Sequence, residues 1–299
     1  MKTIPRSVVS FYKTHPIKRF KVFGKQIEYI RAGKGRKTIL IIPGGGQTAQ
    51  SNFTLIEALE QKFRVIALTI YDIHSVDEFC LIINALLKLE KIYKVHLYGL
   101  SIGGLLAQSY LWRNYKRVES IIISHACTPE SKTYKNKIIR PLKMLGMVLP
   151  LTSNRLIQYF AKSSAGKIQG WNKNMPIDET MSKPRNKELT NYFVKEFYEK
   201  YFTKILLKSW VSIHTDFYRN EKFTMSDLHG WSGKVLILRT DNDPLMQDEG
   251  YFAKLYPEAQ VHTFYDTGHL TFYYQYTKML KVINQFLFSH TPRREQLDK

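Results

Sequence analysis

The chain has 299 residues, 44% of them hydrophobic and 13% aromatic, which excludes a disordered protein and allows one substantial core with an inserted element. Its 45 Lys and Arg outnumber 25 Asp and Glu to give a formal charge of +20, which invites nucleic acid, an anionic membrane surface, or an acidic substrate or carrier protein as partner. The cations are scattered among acids without a nucleic-acid motif, so nucleic acid is not expected, and no apolar run reaches the roughly 18 residues of a membrane-spanning helix.

Residues 1–19 read as a basic N-terminal arm, broken by Pro5, Arg6, Lys13, His15 and Pro16. It contains no apolar stretch of the kind a cleaved signal peptide requires, so a cytoplasmic location is expected. Lys21 to Phe23 and Gln26 to Ala32 alternate in polarity around Gly24-Lys25 and read as a hairpin. Thr38 to Ile42 is a continuous apolar strand running into Pro43-Gly44-Gly45-Gly46. Asn52 to Gln61 has the spacing of an amphipathic helix, with Phe53, Ile56 and Leu59 on one side.

Arg64 to Thr69 is the next strand. Val76 to Leu89 is helical, with Phe79, Ile82, Ile83, Leu86 and Leu87 on one face. Lys94 to Tyr98 is a strand, Ile102 to Trp112 a helix and Val118 to Ser124 a strand. Strands alternating with helices at this spacing predict a mostly parallel sheet with helices on both faces, an α/β fold.

The rhythm then stops. Residues 129–225 contain only helical segments around Pro141, Pro150, Pro176 and Pro184, and read as an inserted helical cap. This stretch holds 18 Lys and Arg against 8 Asp and Glu, half the excess charge in about a third of the chain. Lys234 to Arg239 restores a strand, Gln247 to Leu255 a helix, Gln260 to Tyr265 a last strand and Phe272 to Phe288 a closing helix. The expected organisation is thus a core of residues 20–128 and 226–290, the cap 129–225, and a polar tail 291–299. Cys80 and Cys127 are the only cysteines, so neither a disulfide framework nor a metal knuckle is expected.

Gly99-Leu100-Ser101-Ile102-Gly103 is a Gly-x-Ser-x-Gly pattern lying between a predicted strand and a predicted helix. At the apex of such a turn a serine takes a strained backbone, and glycines two residues either side let strand and helix approach. The helix N-terminus there also offers amide N–H groups to an oxyanion. A serine nucleophile needs a base. His269, in Asp266-Thr267-Gly268-His269-Leu270 after the last strand, falls on the sheet edge that carries Ser101; His96 lies inside a strand and reads as structural.

The acid that orients the base should end a strand between the two, where Thr240-Asp241-Asn242-Asp243-Pro244 offers Asp241 and Asp243. The oxyanion donors are read as the backbone N–H groups of Gly45 and Ile102, with Gly44 the alternative to Gly45. Neither a Gly-Lys-Ser/Thr ending nor a dinucleotide fingerprint accompanies the triple glycine, and no metal-ligand motif occurs, so no cofactor and no metal are expected.

Together these residues resemble the α/β-hydrolase superfamily along residues 20–290. In that resemblance Leu236 to Pro244 looks like the acid-bearing strand end, whose second aspartate is catalytic, which implies Asp243; Thr267-Gly268-His269 looks like the histidine loop. Arg64 to Leu68, Glu78-Phe79-Cys80, Lys94 to Gly99 and Leu255-Tyr256-Pro257 are similar to the maspardin branch, some members of which are thought to act through binding alone. Pro43 departs from the superfamily, where histidine commonly precedes the glycine of the oxyanion loop.

The resemblance implies a carboxylesterase-like or thioesterase-like serine hydrolase working through an acyl-enzyme on Ser101. Trp171 and Trp210 are the cap candidates for binding an apolar acyl or aryl group. The basic cap would suit substrates on an acidic carrier protein or at an anionic membrane surface. The rival reading is a non-catalytic binding protein on the same fold.

Overall fold

A computed structural model describes residues 4–164, 175–247 and 250–288. Eight strands form one sheet: β1 (Ile17–Val22), β2 (Lys25–Ala32), β3 (Thr38–Ile42), β4 (Arg64–Leu68), β5 (Val95–Leu100), β6 (Val118–Ser124), β7 (Lys234–Thr240) and β8 (Gln260–Phe264). Their order is β1-β2-β4-β3-β5-β6-β7-β8; β2 pairs antiparallel with both β1 and β4, and every other neighbouring pair is parallel. The central strands are apolar without alternation because both faces are covered. On β3, Leu40 and Ile42 enter one core cluster while Ile39 and Ile41 enter the other. Each such side chain, fully removed from water, contributes about 1.5–3 kcal/mol before the entropy of ordering is subtracted.

The helices α1 (Arg6–Thr14), α2 (Phe53–Leu59), α3 (Val76–Leu89) and α4 (Ile102–Asn114) precede or connect these strands. Ser75 caps α3 by accepting the Glu78 N–H, and Asp77 and Glu78 sit at its positive end. Between β6 and β7 the described residues form α5 (Lys132–Tyr134), α6 (Arg140–Val148), α7 (Asn154–Ser164), α8 (Glu179–Ser182), α9 (Pro184–Glu196) and α10 (Lys204–Asn220). α11 (Tyr251–Leu255) lies between β7 and β8, and α12 (Thr271–Tyr274) and α13 (Tyr276–Phe288) follow β8. Among the described residues no helix is long and apolar enough to cross a membrane.

The helical insertion is tied to the sheet layer by polar contacts at α10. Ser209 Oγ accepts the Ile73 N–H and donates to the Ile73 carbonyl, and Asp216 accepts the first amide of α3, from Val76, at 2.7 Å. Arg113 on α4 forms a two-pronged ion pair with the buried Glu221 just past α10. These bonds hold α10 against the start of α3 and the end of α4.

Several elements differ from the sequence-based expectations. Residues 6–14, read as part of an arm, form α1, whose Phe11 ring meets Phe53 and Phe193 edge-on. The sheet begins at Ile17 rather than Lys21, and the hairpin turn is Phe23-Gly24, both with positive φ (50° and 74°), rather than Gly24-Lys25. The helix expected from Asn52 is a 3₁₀ turn, Gln50–Asn52, leading into α2. The closing helix is broken at Gln275 into α12 and α13, and the helix expected over Gln247 to Leu255 is described only as α11, since residues 248–249 lie outside the described residues.

Candidate active site

Ser101, between β5 and α4, has φ 53° and ψ −120°, a backbone that L-residues adopt only under constraint. The constraint is the close approach of strand and helix. A Cβ on Gly103 would lie 2.2 Å from the Ile42 carbonyl oxygen, and one on Gly99 would lie 2.3 Å from the Gly103 carbonyl oxygen, so neither position admits a side chain. The Ser101 N–H donates to the Ser124 carbonyl at 2.9 Å, fixing the turn against β6.

The loop after β3 is a tight turn. Gln47 N–H donates to the Gly44 carbonyl and the Gly44 N–H donates to Gln47 Oε1, both at 3.2 Å, with Gly46 at φ 85°. The Gly44 amide is therefore engaged, whereas the Gly45 N–H donates to no group among the described residues. Ile102, first residue of α4, carries one of the amides that a helix leaves without an internal partner. The Trp210 indole stands over this loop, 3.6 Å from where a Cβ on Gly45 would be. Trp171, the other tryptophan expected near the site, lies outside the described residues.

Of the two aspartates after β7, Asp243 meets the histidine. Its Oδ2 accepts from His269 Nδ1 at 2.7 Å while its Oδ1 accepts the N–H groups of Leu245 at 2.8 Å and Met246 at 3.0 Å. With a proton on Nδ1, the remaining nitrogen, Nε2, is the basic one. Asp241 instead accepts the Asp266 N–H at 3.1 Å, and Asn242 Oδ1 accepts the Gly268 N–H at 2.9 Å; the two clamp the histidine loop to the acid turn. Burial alone would raise the Asp243 carboxyl, but the charge and hydrogen bond of His269, with His125 and the Leu245 amide, outweigh it and hold the pKa below the usual aspartate value.

The structure thus brings Asp243 and His269 into contact and sets Ser101 at the same sheet edge, two strands from the Asp243 strand and three from the His269 strand. No hydrogen bond joins Ser101 Oγ to His269 among the described residues. Such bonds are often long before substrate binds and tighten in the reacting complex.

One residue of this edge escaped the sequence analysis. His125 follows β6 with φ 47°, is 1% exposed, and has its ring 6.0 Å from that of His269 in an edge-to-face arrangement. Its Nδ1 bonds Ser124 Oγ at 2.9 Å and its Nε2 bonds Thr271 Oγ1 at 2.6 Å. Burial, reinforced by His269, pushes its pKa down to about 3, so it stays neutral beneath the Asp243–His269 pair. No local motif marks it; only its place at the end of the strand after the Ser101 strand would have drawn attention. His96, read as structural, is buried in β5 against Ser120 and Glu119. Among the described residues no group of three His, Cys, Asp or Glu is placed to hold a metal ion.

A family model described as the alpha/beta hydrolase fold matches residues 71–276. Similar solved structures include carboxylesterase CesB of Bacillus subtilis (17% identity, TM-score 0.63, covering 96% of this chain and 100% of that one). An enol-lactonase of Burkholderia xenovorans is 15% identical with a TM-score of 0.67, over 91% of this chain and all of that one. A variant of the meta-cleavage product hydrolase CumD of Pseudomonas fluorescens is 20% identical with a TM-score of 0.63, over 90% of this chain and 97% of that one. No curated protein matches significantly. At such identities the structural likeness speaks for the fold, and with the family match over more than half of the sequence, the chain belongs to the alpha/beta hydrolase fold family.

Proposed function

We propose that the protein is a serine hydrolase that cleaves a carboxylic ester or thioester, with Ser101 as nucleophile, His269 as general base and Asp243 as the acid that orients it. The observation that carries this reading is the 2.7 Å bond between Asp243 Oδ2 and His269 Nδ1, on the sheet edge where Ser101 takes its left-handed backbone. Ser101 Oγ attacks the substrate carbonyl as His269 Nε2 takes its proton. The developing oxyanion is held by the N–H groups of Gly45 and Ile102; loss of one such donor typically costs about 10²–10³ in rate. Collapse of the tetrahedral adduct expels the alcohol or thiol, which leaves with the proton from His269. Water, deprotonated by His269, then attacks the acyl-enzyme and releases the carboxylic acid with Ser101 restored.

The helical insertion, residues 129–225, acts as a cap, and Trp210 forms the wall of the acyl site above Gly45. The carboxylesterase among the structural neighbours supports an ester substrate. The panel that tests the reading is a series of p-nitrophenyl esters of graded acyl length beside the matching acyl thioesters. A pre-steady-state burst of p-nitrophenol equal to the enzyme concentration is expected for at least one ester; no turnover and no burst across the series would refute it. The second reading, a non-catalytic binding protein, is favoured by one observation, the absence of a bond between Ser101 Oγ and His269, and the same burst decides between them.

A further inference from the structure

The outer side of the helical insertion carries an apolar stripe that the serine chemistry does not use. On α6, Met144, Met147 and Val148 are 66%, 71% and 53% exposed, and Leu151 in the 3₁₀ turn that follows is 89% exposed. The spacing i, i+3, i+4, i+7 puts all four on one side. The opposite side of α6 is also apolar. Leu145 and Leu149 pack with Ile157, Leu207 and Trp210, and Gly146 faces Val211. A helix apolar on both sides has an outer face that water does not favour, and on the neighbouring α7 Leu156 is likewise 45% exposed.

The charges along the stretch of chain that carries the stripe are of one sign. Arg140 lies one turn before Met144 on the same side, Lys143 flanks it, and Lys135, Lys137 and Arg155 are exposed close by in sequence. From residue 131 to 164 the sequence holds seven Lys and Arg and not one Asp or Glu. A second copy of the chain would bring two such collars together and repel. An anionic bilayer satisfies both halves of the pattern, since apolar side chains enter the headgroup–acyl boundary while the cations meet lipid phosphates.

We propose that the α6–α7 face docks the protein on an anionic lipid surface, with Met144, Met147, Val148 and Leu151 as the inserting side chains. The inner side of the same helices supports Trp210 over Gly45, so docking sets the layer that covers the candidate site directly on the lipid. This binding stands apart from the serine chemistry and does not require it.

The test is flotation of the full chain with vesicles of phosphatidylcholine alone and of phosphatidylcholine mixed with phosphatidylglycerol, at low and high salt. The expected result is capture by the mixed vesicles, at least about tenfold weaker on phosphatidylcholine and weakened by salt. Met147→Glu with Leu151→Glu, on exposed positions that leave the fold intact, is expected to reduce capture at least about tenfold, and Lys143→Glu at least about fivefold. The Ser101→Ala variant is expected to bind as the wild type does, which separates this proposal from the enzymatic reading. Three results would overturn it: no capture of the wild type at low salt; the Met147→Glu/Leu151→Glu protein binding as well as wild type; or light scattering showing that this variant splits an oligomer, which would make the stripe an interface between copies.

Discussion

Replacing Asp243 by Asn isolates what the buried carboxylate does for His269. The asparagine oxygen can keep the two amides of Leu245 and Met246, now held at 2.8 and 3.0 Å, but its NH₂ group then faces His269 Nδ1. Two donors cannot share that position, so the imidazole must move its proton to Nε2, the nitrogen that accepts from Ser101 in the proposed mechanism. The opposite flip would set NH₂ against two backbone N–H groups in a site that is 2% exposed, and is worse. The expected loss in kcat is about 10³–10⁴, or roughly 4–5.5 kcal/mol of transition-state stabilisation.

Asp241→Asn serves as the comparison. Its single amide oxygen can still accept the Asp266 N–H and the Thr240 hydroxyl, so kcat is expected to stay within about threefold of wild type. Steady-state hydrolysis of the best ester, with circular dichroism to confirm folding, measures both. An Asp243→Asn enzyme within tenfold of wild type, or a crippled Asp241→Asn enzyme, would refute the assignment.

Further outcomes follow from the same geometry. Buried His125 and His214, the latter bonded to Tyr134 Oη at 2.7 Å, both have pKa values pushed down to about 3 by burial. The unfolded chain takes up a proton at each below about pH 6.5 that the folded chain refuses, so their stabilisation is complete above that pH and lost as pH falls; urea titrations should show about 4 kcal/mol less stability at pH 5 than at pH 7. An unchanged midpoint would show that these histidines are protonated in the fold. Gly103→Ala would drive a Cβ into the Ile42 and Pro43 carbonyls and should destabilise by about 3 kcal/mol, read as a lower denaturation midpoint with unchanged slope; a neutral effect would contradict the tight turn. Trp210→Ala opens the space above Gly45 and should shift kcat/KM toward longer acyl chains by at least about tenfold; an unaltered chain-length preference would remove Trp210 from the acyl site.

Much of this was legible in the sequence because the physical demands on those segments are local. A strand buried on both faces must be apolar throughout, so Thr38 to Ile42 declares itself, and a strand-to-helix turn as tight as that at Ser101 admits only glycine at 99 and 103. What escaped depends on distant partners. β1 alternates cations with Ile17, Phe20 and Val22 at the sheet edge, and its turn places Phe23 at positive φ, where glycine or asparagine is the usual signal. α1 is short and bounded by Pro5 and Pro16, and its packing rests on Phe53 and Phe193, far away in sequence. His125 gains its place beneath His269 only once β6 and β8 are set in order. The choice between Asp241 and Asp243 came from resemblance alone, while the two hydrogen-bond patterns give it a geometric reason.

The central claim is that Ser101 is activated by His269 and Asp243. Treatment of the folded protein with a fluorophosphonate probe, followed by peptide mapping, tests it most directly. The account predicts one covalent adduct, on Ser101, absent from Ser101→Ala and at least about a hundredfold slower in His269→Ala. A folded protein that takes no label at Ser101, or takes it at the same rate without His269, would contradict it.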